Sequence, residues 1–212
     1  MVEVIGGIEI PDSRLVSDAT ALVRDVEEDF LYHHSRRVYL FAAIRGARLG
    51  LEADPELLYV AAMFHDLGLM PPHASDTRRF EVDSALVART FLRDHDVPED
   101  QVARVVLAIA LHTTPGIPEL LEAEIALVRA GVETDVLGVG YRELDTRLIA
   151  EITNVHPRPG FKSRMLEALT QGNIHRPQTT RGTVNADVLE RFCPSFERTN
   201  FVDILQDSAW PE

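Results

Sequence analysis

The sequence predicts an all-α bundle folded as one domain. Three observations carry this. Apolar residues recur at helical spacing over most of the chain, Pro, Gly and Asp punctuate those stretches, and no segment beyond "VEVIGGIEI" alternates as a strand does. That opening stretch reads as a short ribbon. After Pro11, "SRLVSDATALVRDVEEDF" forms a first amphipathic helix with Asp12 or Ser13 as its N-cap. A second, "LYHHSRRVYLFAAIRGARLG", stops near Gly50. Asp54 then caps, and Pro55 opens, "PELLYVAAMFHDLG", which Gly68 is expected to end. The loop "LMPPHASDTRR" leads into "FEVDSALVARTFLRDHD", and Pro98 opens "PEDQVARVVLAIALHTT", closed by "PGIP". Beyond it come one or two short helices in "ELLEAEIALVRAGVETDVLG", a longer one in "YRELDTRLIAEITNVH" and another in "GFKSRMLEALTQGN". From His175 onward Pro, Thr, Arg and Asn become frequent, which predicts a loop and then a short helix at "NADVLERF" within an extended tail, 176–212.

A length of 212 residues suits one substantial domain. The formal charge of -13, from 34 acids against 21 bases, argues against a nucleic-acid surface, which needs clustered Lys and Arg. No apolar run is long enough to span a bilayer, and the N-terminus lacks the pattern of a signal peptide, so a cytoplasmic protein without a membrane partner is expected. A homodimer is the base-rate expectation. The single cysteine, Cys193, excludes an internal disulfide and a Cys-rich zinc site, and reads as a small buried hydrophobe. His, Asp and Glu remain as metal ligands.

Laid on these helices, the titratable residues form a pattern. His34 shares a face with Phe30, Leu31, Val38 and Phe41, whereas His33 lines up with Asp29, Arg36 and Arg37. His112 follows Val105, Ala108 and Ile109, so it also faces inward. His65 and Asp66 close the third helix and Glu81 opens the fourth. Taken singly, each histidine reads first as a satisfied core or surface residue. Together they place an ionisable group at an apolar face of four helices, and burying these without partners is costly. A shared cation removes the difficulty, as in other bundles. Imidazole with carboxylate suits zinc, iron or manganese.

The segments "HHSRRVYLF" and "AAMFHDLGL" and the aspartate in "VETDVLG" resemble the three metal-binding segments of the HD-domain superfamily of metal-dependent hydrolases, in the order His, His-Asp, Asp. "RRFEVDSALVARTFL" and "AIALHTTPGIPE" resemble its cyanamide hydratase-like branch, and the likeness spans residues 10 to 170. The resemblance implies an HD-type bundle with a motif-bearing core at 30–140 and C-terminal helices at 141–175. It implies one divalent transition metal, zinc first and iron or manganese as alternatives, held by His34, His65, Asp66 and Asp135. Asp135 enters through the resemblance alone; from the residues it reads as a helix cap, unless Thr134 takes that place. Where dinuclear members carry further histidines stand Glu81 and His112, which favours a single metal. Leu69 stands where the nucleotidase branch has a glutamate.

The implied chemistry is attack by a metal-bound hydroxide on a small nitrile-like substrate, as when cyanamide becomes urea, with Asp66, Glu81 and His112 catalytic. His112 is the first choice as acid or base; Glu81 supplies the proton, orients water or merely caps its helix. The alternative is a phosphohydrolase, which needs Arg37, Arg78, Arg79 or Lys162 turned inward. A metal-stabilised binding protein without catalysis is the third reading. The loop "LGLMPPHASDTRRF" is expected to cover a pocket walled by Phe64, Phe80 and Ile109, with His73 toward solvent. No Gly-rich phosphate loop or nucleophile elbow is present.

Overall fold

A computed structural model describes residues 2–210. Gly6 and Gly7, with φ of 58° and 77°, turn the N-terminal ribbon so that β1 (Val4–Ile5) pairs antiparallel with β2 (Ile8–Glu9). Ser13, the second of the two candidate caps, accepts from Val16 N–H and starts α1 (Arg14–Val26). Helix α2 (Asp29–Leu49) ends at Gly50, whose φ of 66° is left-handed. Asp54 and Pro55 start α3 (Pro55–Phe64) as expected, through bonds from Glu56 and Leu57 N–H to the aspartate. Then follow α4 (Phe80–Asp94), α5 (Glu99–Leu111), α6 (Ala123–Val132), α7 (Thr146–Val155), α8 (Phe161–Asn173), α9 (Val184–Phe192) and α10 (Phe201–Gln206). The fold is all-α, with the hairpin as its only sheet among the described residues. No helix among them is long and apolar enough to cross a membrane.

Helices α2 and α3 form the centre: every residue from Leu57 to Phe64 is buried, and α2 packs on both α3 and α6. Gly131 permits the close approach of α6 to α2, since a Cβ there would clash with the carbonyl oxygen of Val38. After α6 the backbone widens into one π turn, Glu133–Leu137, ended by Gly138 at φ 74°.

Three expectations are corrected. The third helix ends at Phe64, not at Gly68; a 3-10 turn, Leu67–Leu69, follows. Gly68 is needed for proximity, because a Cβ would meet the Phe80 carbonyl oxygen at 2.1 Å where α4 begins. The segment after residue 176 is not extended: it carries α9 at the predicted helix and also α10, whose Phe201, Val202 and Leu205 are exposed. The loop after Leu69 is pinned to the fold, since Arg176 donates to the carbonyls of Ser75, Arg78 and Gly68 and pairs with buried Asp83 at 2.6 Å. His73 on that loop is half-buried instead of solvent-facing.

Candidate metal centre

Helix α2 turns His34 inward, and the end of α3 delivers His65 and Asp66 beside it; all three are buried. His34 Nδ1 lies 2.7 Å from Asp135 Oδ2, and His65 Nδ1 lies 2.7 Å from the carbonyl oxygen of Ala62. Both partners are acceptors, so each Nδ1 carries the proton and each Nε2 of a neutral ring is bare. Those two bare nitrogens face each other at 3.1 Å. Asp66 Oδ2 completes the triangle, 3.6 Å from His34 Nε2 and 3.3 Å from His65 Nε2. With both rings neutral, three lone pairs converge. A bound ion about 2.0–2.2 Å from each donor holds its ligands roughly 3.0–3.5 Å apart, so the donor set and its spacing both fit a divalent transition metal.

Electrostatics describes the same conflict. Burial pushes the His34 imidazole below its ordinary range, against the pull of Asp135. Burial also opposes charge on His65, but Asp66 beside it prevails and holds it above that range. Asp66 is held well below the usual carboxylate range: burial alone would raise it, and His65, His34 and His112 overcome burial. Without a cation, a proton on His65 must separate the lone pairs.

Asp135 was expected as a fourth ligand, and the structure places it elsewhere. Its carboxylate lies on the Nδ1 side of His34, where Arg37 donates to Oδ1 at 2.8 Å and to Oδ2 at 3.0 Å, and Arg158 donates to Oδ1. With His34 these bonds occupy its lone pairs, so Asp135 is absent from the converging group and instead fixes the His34 ring. The π turn explains its aim, because the wide turn presents Asp135 to α2. Arg36 and Arg37, expected to be outward with His33, are also buried: Arg36 donates to Tyr59 and Glu3, Arg37 to Asp135 and the carbonyls of His156 and Pro157.

His112, at the end of α5, lies where expected. Its Nδ1 bonds the Ile109 carbonyl at 2.7 Å, leaving Nε2 bare and 3.6 Å from Asp66 Oδ1. Burial, then the neighbouring His65, bring its pKa down to about 4, so the ring is a neutral acceptor. Glu81 stands apart from the triangle. Its Oε1 accepts from Thr113 at 2.6 Å, Arg79 at 3.0 Å and Asn185 at 3.3 Å. Burial raises this carboxyl and Arg79 outweighs it, so Glu81 remains an anion tied into a structural network instead of a proton donor at the centre.

Above the donors lies a cavity of about 500 Å³ walled by Phe80, Val132, Met165, Leu169, Val184 and Val188. Phe80 is there as expected; Phe64 packs on Phe91 and Ile109 is fully buried, and neither lines it. The covering element is α9 with α8, not the loop after Leu69. Arg129 also lines it, already bonded to Glu119, Glu133 and the His112 carbonyl. Arg78 and Arg79 are paired with Asp83 and Glu81, and Lys162 lies on the surface.

A family model described as HD domain matches residues 31–152, more than half of the chain. No curated protein gives a significant match. The matched span contains the His34, His65-Asp66 and Asp135 segments together with His112, and the chain therefore belongs to the HD domain family, whose members are mostly metal-dependent hydrolases.

Proposed function

We propose that the chain hydrolyses or hydrates a neutral, largely apolar substrate at a single divalent metal held by His34 Nε2, His65 Nε2 and Asp66 Oδ2. One observation carries this reading: three bare donor atoms meet at the floor of an apolar cavity in which the lining guanidinium, Arg129, is already paired with carboxylates. Zinc is the first candidate, with iron or manganese next, on the softness of the ligands. A divalent ion there supplies an activated water and Lewis-acid polarisation.

The chain's own residues do the rest. Asp135 holds His34 in the tautomer that presents Nε2, and Arg37 and Arg158 hold Asp135. His112 accepts a proton at Nε2 from the attacking water and returns it to the leaving or product nitrogen, which its neutral state permits. The phenyl ring of Phe80 and the α8 and α9 side chains exclude bulk water. Nitrile hydration to an amide, as with cyanamide to urea, fits this chemistry. The cavity has the size that suits molecules much larger than cyanamide, so a nitrile or related group on an apolar body is the better substrate.

The test compares benzonitrile, cyanamide, a simple phosphate ester and a nucleotide as substrates of metal-loaded protein, with chelator-stripped protein as control. Amide formation that requires the metal is expected, faster from benzonitrile than urea from cyanamide. Phosphate release as the dominant metal-dependent activity would overturn the neutral-substrate reading and place the chain among phosphohydrolases.

A further inference from the structure

The π turn Glu133–Leu137 is a partition. Its Val136 and Leu137 line the cavity over the donors on one side and a second cleft, of about 580 Å³, on the other. Phe41 and Ile149 give this cleft apolar walls, and Tyr141, Arg158 and Lys162 give it polar groups. Among the described residues Asp135 is the one carboxylate lining it, and that side chain is fully covered. The charges the cleft presents are therefore both positive, on a chain whose formal charge is -13. Arg158 joins the two sides. It donates through Nη1 to Asp135 Oδ1 and through Nη2 to the Asp135 carbonyl at 2.9 Å, with its guanidinium 4.2 Å over the Phe161 ring. A guanidinium has five N–H donors and these bonds use two of them. The rest have no partner among the described residues, and 29% of the side chain is exposed, which leaves the fork free to take a second oxyanion.

We infer that this cleft is a regulatory site for a small organic anion, a carboxylate on an apolar body, which Arg158 and Lys162 bind and which tightens metal binding across the π turn. The binding half stands alone; the regulatory half rests on the reading of His34, His65 and Asp66 as a metal centre. Its direction follows from charge. Arg158 draws on the carboxylate that supports His34, so an anion that shares Arg158 makes Asp135 a stronger acceptor from Nδ1–H and His34 Nε2 a better donor to an ion. Arg37, bonded to both oxygens of Asp135, keeps the carboxylate in place. The charge of the anion attracts a cation with the same sign of effect. By linkage, the metal tightens the anion by the same factor.

The experiment uses benzoate and its neutral counterpart benzamide, with zinc as the metal. In ligand-observed NMR, benzoate is expected to bind the metal-free protein about tenfold more tightly than benzamide, and Lys162→Glu should abolish that preference. Position 162 is exposed in the first turn of α8, where glutamate suits the helix, so the variant folds. Zinc titrated against a competing chelator should bind about fivefold more tightly in saturating benzoate, and benzoate should leave zinc affinity unchanged in Lys162→Glu. Equal binding of benzoate and benzamide, or a preference that survives in the variant, would overturn the site. Zinc affinity that benzoate leaves unchanged or weakens would overturn the regulation, as would tightening that persists in Lys162→Glu, the sign of benzoate coordinated to the ion itself. If the metal-centre reading fails instead, zinc binds under neither condition, while the Lys162-dependent preference for benzoate remains.

Discussion

The two nitrogens of His34 have separate tasks: Nδ1 donates a hydrogen bond to Asp135, and Nε2 faces His65 and Asp66. Inward periodicity was enough to select His34 over His33, because the two differ by about 100° around the helix. The partner of Nδ1 was beyond such reasoning, and the resemblance that supplied Asp135 assigned it to the ion. Substitution separates the roles. His65→Ala and Asp66→Ala should lose the metal and all activity. Asp135→Asn should bind it 10- to 100-fold more weakly, and His112→Ala should retain it while kcat falls about 100-fold. Zinc titration against a competing chelator, with turnover on the same samples, reads all four. An Asp135→Asn protein as empty as His65→Ala would make Asp135 a ligand after all.

Helix ends were readable where a local bond decides them, as at Ser13, Gly50 and Asp54. Helix faces were readable only where water lies on one side. Helix α2 has neighbours nearly all round, so Arg36 and Arg37, polar in any pattern, are buried beside Tyr59 and Asp135. The π turn likewise has no pattern of its own in "ETDVL". Contact between α2 and α6 sets the spacing of the centre, because His34 belongs to the first and Asp135 follows the second. Gly131→Ala should force them apart at Val38, costing about 1–3 kcal/mol of stability, with weaker zinc binding in the same variant. Urea denaturation and zinc titration measure the two effects. Unchanged stability would mean that the helices separate freely.

At the level of the whole molecule, the bundle followed from periodicity, and the cover of the cavity did not. Residues after His175 have the composition of a loop, and what holds them is distant in sequence: Arg176 to Asp83 and Gly68, Asn185 to Glu81. Arg176 is fully buried, so Arg176→Met leaves buried Asp83 with Arg78 as its remaining ion-pair partner and the carbonyls of Gly172, Ser75, Arg78 and Gly68 without this donor. A loss of about 3–5 kcal/mol is expected in denaturant unfolding. A variant as stable as the wild type would show that the buried pair contributes nothing net.

The placement of α9 over the cavity also has a meaning in time. During synthesis the donors at 34, 65 and 66 and the orienting Asp135 emerge well before Val184, Asn185 and Val188. At about 5–20 residues per second the interval after Asp135 is roughly 2–10 s, ample for helices to pack around an ion. The nascent chain thus brings its converging donors together first, open to water, and closes the cavity above them last.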